Sequence, residues 1–580
     1  MLYKLYSDLP SFKTVEFHEG LNLILADKTE KSTQGQTRNG AGKSSIVELI
    51  NSLLGGRVEK SKGSLLKQEE LENYNFGLEL DLHNDLITIE RNGAQQSRIW
   101  VRNIENKLFD LTELNGKYYT HLNDWKAELG KSMFGLSSDF LSLKHTPTFR
   151  SLCAFFARSS GGFNFPDKST TQQYTWSKQV NVSFLLKLDW MVVREFEGLR
   201  QREDLIKALN KASNEGALGD IMGSASDLRT DIHLKQTRID KLKSSVLEFK
   251  VLPEYEEKES RATEISKQLA SLSAGDTIDK EWLSQLEHAI ESEKEPDSSK
   301  VMRLFAEAET DIPEIIKRRF DEVDAFHKSV VVNRKEHLNQ EIESLNDKIR
   351  KRYKQKSNLD YERSEILSLL QSHGALDQYM KLQGLLSKDE SIVELLKRKL
   401  EATENLDDKK SDLKIERQTT LRKMRIDHAE RTEQIKDAVV TFSDISGQLY
   451  EDSGRFTIEQ TDNGPSFEFD IPGKKSTGKS KMQIFCFDMM LMKLWSGEKQ
   501  RPEFLIHDSL IFDGVDERQI AKALVIGAEM AKKYNFQYIV TMNTDDLPNM
   551  NEYPNFKIEE YRVDLDINDK PNGGLFGLRF

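Results

Sequence analysis

The sequence predicts mixed α/β structure at both ends of the chain and a long helical segment between them. Near the amino end, a glycine-rich stretch lies between an apolar strand and a helix. Through the middle, apolar residues recur at coiled-coil spacing, and after that the alternation typical of strands returns. A chain of 580 residues is too long for one core, so we expect separate domains. The predicted ranges are 1–188, 189–450 and 451–580.

Composition narrows the class of protein. Charged residues make up 31% and hydrophobic residues 37%, which favours long solvated helices beside an ordinary globular part. The net charge of −12 excludes general electrostatic attraction to nucleic acid, so any DNA contact would need local basic patches. The only cysteines, Cys153 and Cys486, exclude a disulfide framework and suit a reducing compartment. With no signal peptide and no membrane-spanning run, we expect a cytoplasmic protein without membrane contact.

The most specific motif is the glycine-rich stretch, which follows the apolar run Leu21–Leu25 and precedes a helical pattern over 46–54. Strand, glycine loop and helix form the context that a phosphate-binding loop requires, although a glycine-rich turn that happens to contain Gly-Lys-Ser is the alternative. The usual first glycine is replaced by Thr37, and we interpret residues 27–37 as an insertion. Lys43 would reach the β- and γ-phosphates and Ser44 would bind Mg²⁺. The expected ATP-binding residues here are Asn39, Gly40, Ala41, Gly42, Lys43, Ser44 and Ser45.

The remainder of the amino-terminal part contains a predicted sheet and one ambiguous stretch. Alternating residues over 76–82, 86–90 and 97–101 predict an antiparallel meander. Residues 148–162 are aromatic, basic and glycine-bearing. That stretch could be a nucleotide-sensing loop or simply a helix and its cap, and the sequence favours neither.

The middle of the chain predicts a coiled-coil arm. Apolar residues follow a 4-3 repeat between Leu338 and Leu370 and again between Tyr379 and Leu400. Residues 372–375 could reverse the chain between these runs into an antiparallel hairpin. We expect a jointed arm, with breaks at 216–219, Pro253, Gly275 and 296–299 and a possible small helical subdomain at 250–330.

Cations interrupt the first of these runs. Six of them fall within the nine residues 348–356. A solvated helix face is the commoner explanation. The other is contact with a phosphate backbone, because cations on the seam itself weaken its packing. The candidate DNA-binding residues are Lys348, Arg350, Lys351, Arg352, Lys354 and Lys356.

Near the carboxyl end, an apolar strand over 504–507 ends at Asp508. A Walker B strand presents its aspartate to Mg²⁺ in this way. In many such ATPases a glutamate follows and positions the attacking water, whereas Ser509 follows here. Asp513 is the nearest of several carboxylates further along the chain, so we expect slow hydrolysis or a different base.

Residues 473–480 also match the spacing Gly-x-x-x-x-Gly-Lys-Ser. They could be the true phosphate loop, or the signature loop of an ABC-type ATPase, which has the form Leu-Ser-Gly-Gly-Gln. In the second interpretation Ser476 and Gly478 take the serine and second-glycine positions. We favour it because only about 100 residues remain, few for a whole phosphate-loop domain. The order loop, helix, Pro502, apolar strand and Asp508 is also the ABC order.

With these motifs in this order, the chain resembles the SMC–RecN superfamily of ABC-type ATPases. Residues 147–152, 326–334 and 507–518 resemble a short-armed bacterial group often linked to anti-phage or DNA-surveillance systems. The resemblance implies an α/β ABC-type ATPase head, split into amino- and carboxyl-terminal halves, with a long antiparallel coiled-coil insertion. It also implies a homodimer in which two heads sandwich ATP and Mg²⁺, each γ-phosphate facing the partner's Ser476–Gly478.

The resemblance assigns roles to further residues. Asn543 or Met542 takes the position where the family usually has a switch histidine, and Asp513 to Asp516 lie in the loop between the two subunits. The expected catalytic residues are Lys43, Asp508 and Asp513, with Ser44 and Asp508 as the metal ligands.

Two functions from different classes follow. The first is an ATPase that couples ATP-driven dimerisation to the binding or sensing of double-stranded DNA, within a defence or repair complex. The alternative is a scaffold that binds ATP with little turnover and uses its arm to hold an effector or regulatory protein. An arm that binds only protein is a third possibility.

Overall fold

The computed structural model divides the chain into two compact units. The first consists mainly of Met1–Arg200 and Arg417–Phe580, and the second of Gln201–Asp311 and Arg319–Glu416. The predicted limits 188 and 450 lie next to the start of the helix Trp190–Asn214 and the end of the helix Thr432–Leu449, whereas the limits of the second unit lie within the helices Trp190–Asn214 and Leu376–Glu430. The structure describes residues 1–27, 42–59, 63–82, 85–102, 110–137, 139–140, 143–214, 224–247, 253–292, 314–370, 376–472, 476–568, 570 and 572–577.

Long helices occupy much of the chain. The expectation of mixed helices and sheets with long helices is therefore confirmed. The helices are α1 (Lys43–Leu53), α2 (Leu122–Phe134), α3 (Phe149–Cys153), α4 (Thr175–Leu185), α5 (Trp190–Asn214), α6 (Ala225–Leu247), α7 (Pro253–Ser292), α8 (Glu314–Leu370), α9 (Leu376–Glu430), α10 (Thr432–Leu449), α11 (Thr477–Trp495), α12 (Glu517–Tyr534) and α13 (Ile558–Tyr561).

Most amino-terminal strands form an antiparallel sheet, in which the predicted meander appears as β4, β5 and β6. Its order is β2-β1-β4-β5-β6-β8-β7. The strands are β1 (Leu2–Ser7), β2 (Val15–Glu16), β4 (Phe76–Leu82), β5 (Asp85–Arg91), β6 (Arg98–Val101), β7 (Thr112–Leu114) and β8 (Lys117–His121).

A second sheet is parallel and takes strands from both ends of the chain. Its order is β11-β12-β3-β13. Since parallel strands all point the same way, the loops that follow them meet at one edge. The strands are β3 (Leu21–Asp27), β11 (Phe504–His507), β12 (Gln537–Asn543) and β13 (Ile567–Asn568).

A two-stranded hairpin of β9 (Arg455–Thr461) and β10 (Gly464–Asp470) precedes α11. Helix α11 is apolar over most of its surface and buried along most of its length. Such a helix belongs inside a core rather than on its surface. The core around it also contains β3, β11 and the inner side of α1.

In the second unit, antiparallel helices pack through apolar and ionic contacts. Helix α6 packs on α9, where Ile239, Leu386 and Val393 form a small apolar cluster. Helix α7 meets α8, and Arg261 pairs with Glu362 at 2.7 Å. The first predicted run, in α8, thus contacts α7, and the second, in α9, contacts α6. The expected turn at 372–375 lies outside the described residues.

The expected break at Gly275 is absent, because α7 runs through this residue without interruption. A Cβ added there would lie 3.2 Å from Cζ of Arg352 on α8. The glycine therefore makes room for a guanidinium on the facing helix. It is a packing feature rather than a joint, and α7 as a single helix covers much of the predicted small subdomain at 250–330.

Candidate functional site at the edge of the parallel sheet

The amino end of α1 lies at the carboxyl edge of the parallel sheet. Gly42 caps the helix with a left-handed φ of 92°, and the cap makes no side-chain hydrogen bond. The amino end of a helix favours an anion through its dipole and its first N–H groups, and α1 presents this end to the sheet edge. A Cβ on Gly42 would lie 2.7 Å from Cβ of Leu575, so the position has no room for a side chain. The predicted Asn39, Gly40 and Ala41 lie outside the described residues.

Lys43 is directed across the sheet edge. Its side chain is largely buried, at 8% exposure, and Nζ donates to Oδ1 of Asn543 at the end of β12. The amide of Asn543 is oriented by its other end, since Nδ2 donates to Asp546 at 2.6 Å. Ser44 is exposed and Ser45 is half-buried in the first turn of α1. Lys43 and Asn543, predicted separately, are thus in contact.

Asp508 follows β11 at the same edge and is 5% exposed. Its Oδ1 accepts hydrogen bonds from Ser509 Oγ at 2.9 Å and from Thr541 Oγ1 at 3.3 Å. Strand β12 is the neighbour of β11, so Asp508 lies about one strand spacing, or about 5 Å, from the strand that ends at Asn543, the partner of Lys43. Asp513 is exposed and follows a short 3₁₀ turn, Ser509–Phe512.

The first turn of α11 contains the predicted signature residues. Ser476 caps the helix, its hydroxyl accepting from the Lys479 N–H at 3.3 Å. Gly478 is packed so closely that a Cβ would lie 2.2 Å from the Gly514 carbonyl oxygen. Helix α11 follows a strand of the two-stranded hairpin, not of the parallel sheet, and Lys479 Nζ donates back to the Pro472 carbonyl. Its surroundings therefore differ from those of α1.

A buried polar network lies next to Asp508, and sequence reasoning did not find it. Asp488 on α11 accepts two hydrogen bonds from Arg158, each 2.6 Å long, and one from His507 Nε2 at 3.1 Å. The Tyr538 hydroxyl lies 3.1 Å from the other nitrogen of His507. All four side chains have 0% exposure. The one available signal was Asp488 itself, a single carboxylate within an apolar helix.

The network fixes the state of His507. Burial lowers the pKa of His507 despite the neighbouring carboxylate of Asp488. A neutral imidazole donates from Nε2 to Asp488 and accepts at Nδ1 from Tyr538, whose pKa is raised well above its ordinary value by burial. Each polar atom of this imidazole thus has a partner, and Arg158 supplies the positive charge opposite Asp488.

The six predicted DNA-binding cations fall into two groups. Arg352 pairs with Asp276 at 3.3 Å and with Asp279, and Lys356 pairs with Asp276 at 3.1 Å. These two therefore link α8 to α7. The cations of the other group are exposed on α8, and they are Lys348, Arg350, Lys351 and Lys354.

The described part of the sheet edge fits ATP and Mg²⁺. It offers the amino end of α1, the ammonium of Lys43 and the carboxylate of Asp508. In the ranges that the structure covers, no three His, Cys, Asp or Glu side chains cluster as a metal cage would require. Mg²⁺ bound through nucleotide phosphates does not need such a cage, because it takes one or two protein ligands and retains water.

Two parts of the chain match family models. Residues 445–580 match "Uncharacterised protein conserved in bacteria (DUF2326)". Residues 281–407 match "C-terminal domain 10 of the ABC-three component (ABC-3C) systems". A search among curated proteins found no match. None of the helices within the described ranges is long and apolar enough to span a membrane.

Two solved structures have low overall similarity to the chain. One is the Smc head domain with a coiled coil and joint from Pyrococcus yayanosii, with a TM-score of 0.35 and 15% identity over 93% of this chain and 92% of that chain. The other is the Smc head domain with an extended coiled coil, bound to the C-terminal domain of ScpA, from Pyrococcus furiosus. It has a TM-score of 0.31 and 16% identity over 94% of this chain and 91% of that chain.

Proposed function

We propose that this chain is an SMC-like ATPase subunit of a multi-component system, and that it binds ATP and Mg²⁺ between two head domains. The observation that carries the proposal is the convergence of Lys43, Asn543 and Asp508 at one edge of a parallel sheet built from both ends of the chain. Ligands of α/β proteins bind at this edge. The match of residues 281–407 to a domain of ABC-three component systems supports the multi-component part.

Each residue at the edge has a distinct task in this proposal. The N–H groups of α1 and the Lys43 ammonium bind the β- and γ-phosphates, while Asp508 and Ser44 hold Mg²⁺. Mg²⁺ supplies neutralisation of phosphate charge. Asn543 holds Lys43 in position, and Thr541 holds the Asp508 carboxylate. Ser476 and Gly478, at the start of α11, contact the nucleotide of a second head, and Asp513 lies near that contact.

Mutation of Lys43 tests the nucleotide site. Lys43→Ala should abolish ATP-dependent dimerisation and weaken ATP binding at least about tenfold, because it removes the charge that faces the phosphates. Lys479→Ala is the matched control, since Lys479 also lies in a Gly-Lys-Ser segment but donates to Pro472. Light scattering and nucleotide titration measure both effects. If Lys479→Ala abolishes binding and Lys43→Ala does not, the assignment of the two loops is reversed.

A scaffold with little turnover is the second candidate function, and Ser509 favours it. Its hydroxyl donates to the Asp508 carboxylate, so the position where a glutamate usually orients water is occupied by a group that cannot act as a base. A steady-state ATPase assay with and without double-stranded DNA separates the two. Stimulation by DNA supports the ATPase and contradicts the scaffold, whereas ATP binding without turnover supports the scaffold.

A further inference from the structure

The carboxyl segment, residues 562–568 and 572–577, packs against both residues that flank the predicted phosphate loop. Strand β13 runs parallel to the end of β3, and its last residue pairs with Asp27. Further along, Leu575 lies against Gly42, where the position for a Cβ is 2.7 Å from the Leu575 Cβ and 3.3 Å from its nitrogen. One segment therefore contacts the chain on both sides of residues 28–41.

The contact at Asp27 is polar. The Arg562 guanidinium donates to one carboxylate oxygen of Asp27 at 2.5 Å, and the Thr544 hydroxyl lies 3.3 Å from the other. The backbone next to Arg562 is also fixed, because the Val563 N–H donates to the Leu23 carbonyl of β3 at 2.9 Å. The ion pair is partly exposed, so water screens part of its attraction.

The contact at Gly42 is made by packing. A glycine adopts positive and negative φ at similar cost, so Gly42 does not maintain its φ of 92° by itself. Leu575, with 0% exposure, leaves little space for it to rotate. The Gly42 carbonyl accepts from the Ile46 N–H at 3.1 Å in the first turn of α1. A rotation at Gly42 would therefore turn the start of α1, and with it the side chain of Lys43.

Leu575 is itself attached to the amino-terminal part of the chain. Its carbonyl accepts from the Lys13 N–H at 2.9 Å. The next residue, Phe576, is 2% exposed, and its ring centroid lies 5.7 Å from that of Phe12 and 6.1 Å from that of Phe76 on β4. These contacts hold Leu575 in the core, so it can serve as a rigid support for Gly42.

We propose that the carboxyl segment positions the phosphate loop by holding both of its ends, Asp27 through Arg562 and Gly42 through Leu575. The inference rests on the proposed binding of ATP at this edge. A loop whose ends are already in place loses less conformational freedom when a ligand binds, which increases affinity. Arg562 and Leu575 are positioning residues, because they act through Asp27 and Gly42. Arg562 is 535 residues from Asp27, so the order of residues does not reveal the contact.

Hydrogen exchange of the nucleotide-free protein tests the support at Gly42. Leu575→Gly removes the Cβ that faces Gly42, so peptides that contain Ile46 should exchange faster than in the wild type. Leu575→Ala keeps this Cβ and should have a smaller effect. Leu565→Gly, at another buried leucine of the carboxyl segment, is the matched control and should leave this exchange unchanged. Equal acceleration by Leu575→Gly and Leu565→Gly overturns the proposal.

Titration with a fluorescent ATP analogue tests the consequence for binding. Leu575→Gly should weaken binding by about tenfold, because the start of α1 is no longer held in place. Arg562→Gln should weaken it by about threefold, since the ion pair that it removes is partly screened. Lys557→Gln removes the exposed pair with Glu560, which does not contact Asp27, and it should bind as the wild type does.

The two kinds of failure are distinguishable. A wild-type protein that does not bind ATP overturns the proposed function, and with it any role of the carboxyl segment in binding. If the wild type binds ATP, but Leu575→Gly binds it as Leu565→Gly does and Arg562→Gln binds it as Lys557→Gln does, only the positioning role is wrong. Faster exchange at Ile46 together with weaker binding in Leu575→Gly alone supports it.

Discussion

At the residue scale, His507 makes the free energy of unfolding depend on pH, and the sign of this dependence follows from the surroundings of the imidazole. Burial lowers the pKa of His507 in the folded protein, with Asp488, Arg158 and Tyr538 as its polar neighbours. Below about pH 6.5 the unfolded chain binds a proton at this imidazole and the folded chain does not. The buried, neutral His507 therefore costs no stability above about pH 6.5. As the pH falls below about 6.5, the free energy of unfolding decreases.

The substitution His507→Gln tests this linkage, because glutamine keeps an N–H donor for Asp488 and cannot titrate. We expect the free energy of unfolding of the wild type to fall by up to about 1.4 kcal/mol per pH unit more than that of the variant below about pH 6.5. Urea unfolding between about pH 7.5 and about pH 5.5 measures the difference. His121→Gln, at an exposed position, is the control and should behave as the wild type does. Parallel pH curves for wild type and His507→Gln would contradict the assignment.

Gly478 gives a second prediction at this scale. A Cβ there would lie 2.2 Å from the Gly514 carbonyl oxygen, so Gly478→Ala forces the backbone after Asp508 to move. We expect a loss of about 1–3 kcal/mol in the free energy of unfolding. Gly198→Ala, within α5, is the matched control, because a Cβ there meets nothing within 4 Å. It should stabilise the helix by up to about 1 kcal/mol. Thermal unfolding of both variants gives the comparison, and a neutral Gly478→Ala would contradict the close contact.

At the element scale, the ions on α7 and α8 define how these two helices pair. Asp276 and Arg352 are partly shielded from water, with side-chain exposures of 9% and 23%. A double-mutant cycle of Asp276→Asn and Arg352→Gln should give a coupling free energy of about 1–2 kcal/mol. The exposed pair Arg229–Glu404 should give about 0–0.5 kcal/mol, because water and salt screen it. Urea unfolding, monitored by far-UV circular dichroism, measures both coupling free energies. Equal values would mean that shielding from water does not strengthen the ion pair.

Helices α8 and α9 show how much of the arm could be predicted from the sequence. The 4-3 spacing of apolar residues is a local signal, and it predicted helices at α8 and α9. The reason for cations on the seam is not local, since Arg352 lies 73 residues from its partner Asp279. Gly275 was interpreted as a break for a similar reason, because its purpose is visible only when Arg352 is placed against it.

At the scale of the whole molecule, the site depends on contacts between distant parts of the chain. The motif around Lys43 could be predicted because its strand, glycines and helix are consecutive. The bond between Lys43 and Asn543 spans 500 residues, and only the resemblance suggested that these ends meet. Arg158 and Asp488 are 330 residues apart and match no familiar motif, so the network could not be predicted. The roles of these residues in ATP binding stay predictions.

The DNA binding predicted from the sequence can be tested at the exposed cations of α8. We expect charge reversal of Lys348, Arg350, Lys351 and Lys354 to glutamate to weaken binding of double-stranded DNA and to reduce its salt dependence. The plot of log K against log salt has a negative slope, and each lost phosphate contact should reduce the magnitude of this slope by about 0.9. Arg352 and Lys356 are left unchanged because they pair with α7. DNA affinity measured at several salt concentrations tests the expectation.

A variant with the same change in net charge separates local contact from a general charge effect. It reverses four exposed cations of α9, namely Lys397, Arg398, Lys409 and Lys414, which spread over a longer stretch of helix. Because the protein already carries a net charge of −12, both variants should repel DNA to the same general extent. If the four exposed cations of α8 contact phosphates, the α8 variant should lose more DNA affinity, and more of the salt dependence, than the α9 variant. Equal losses would leave the arm as a surface for protein partners, which is the role that the scaffold hypothesis gives it.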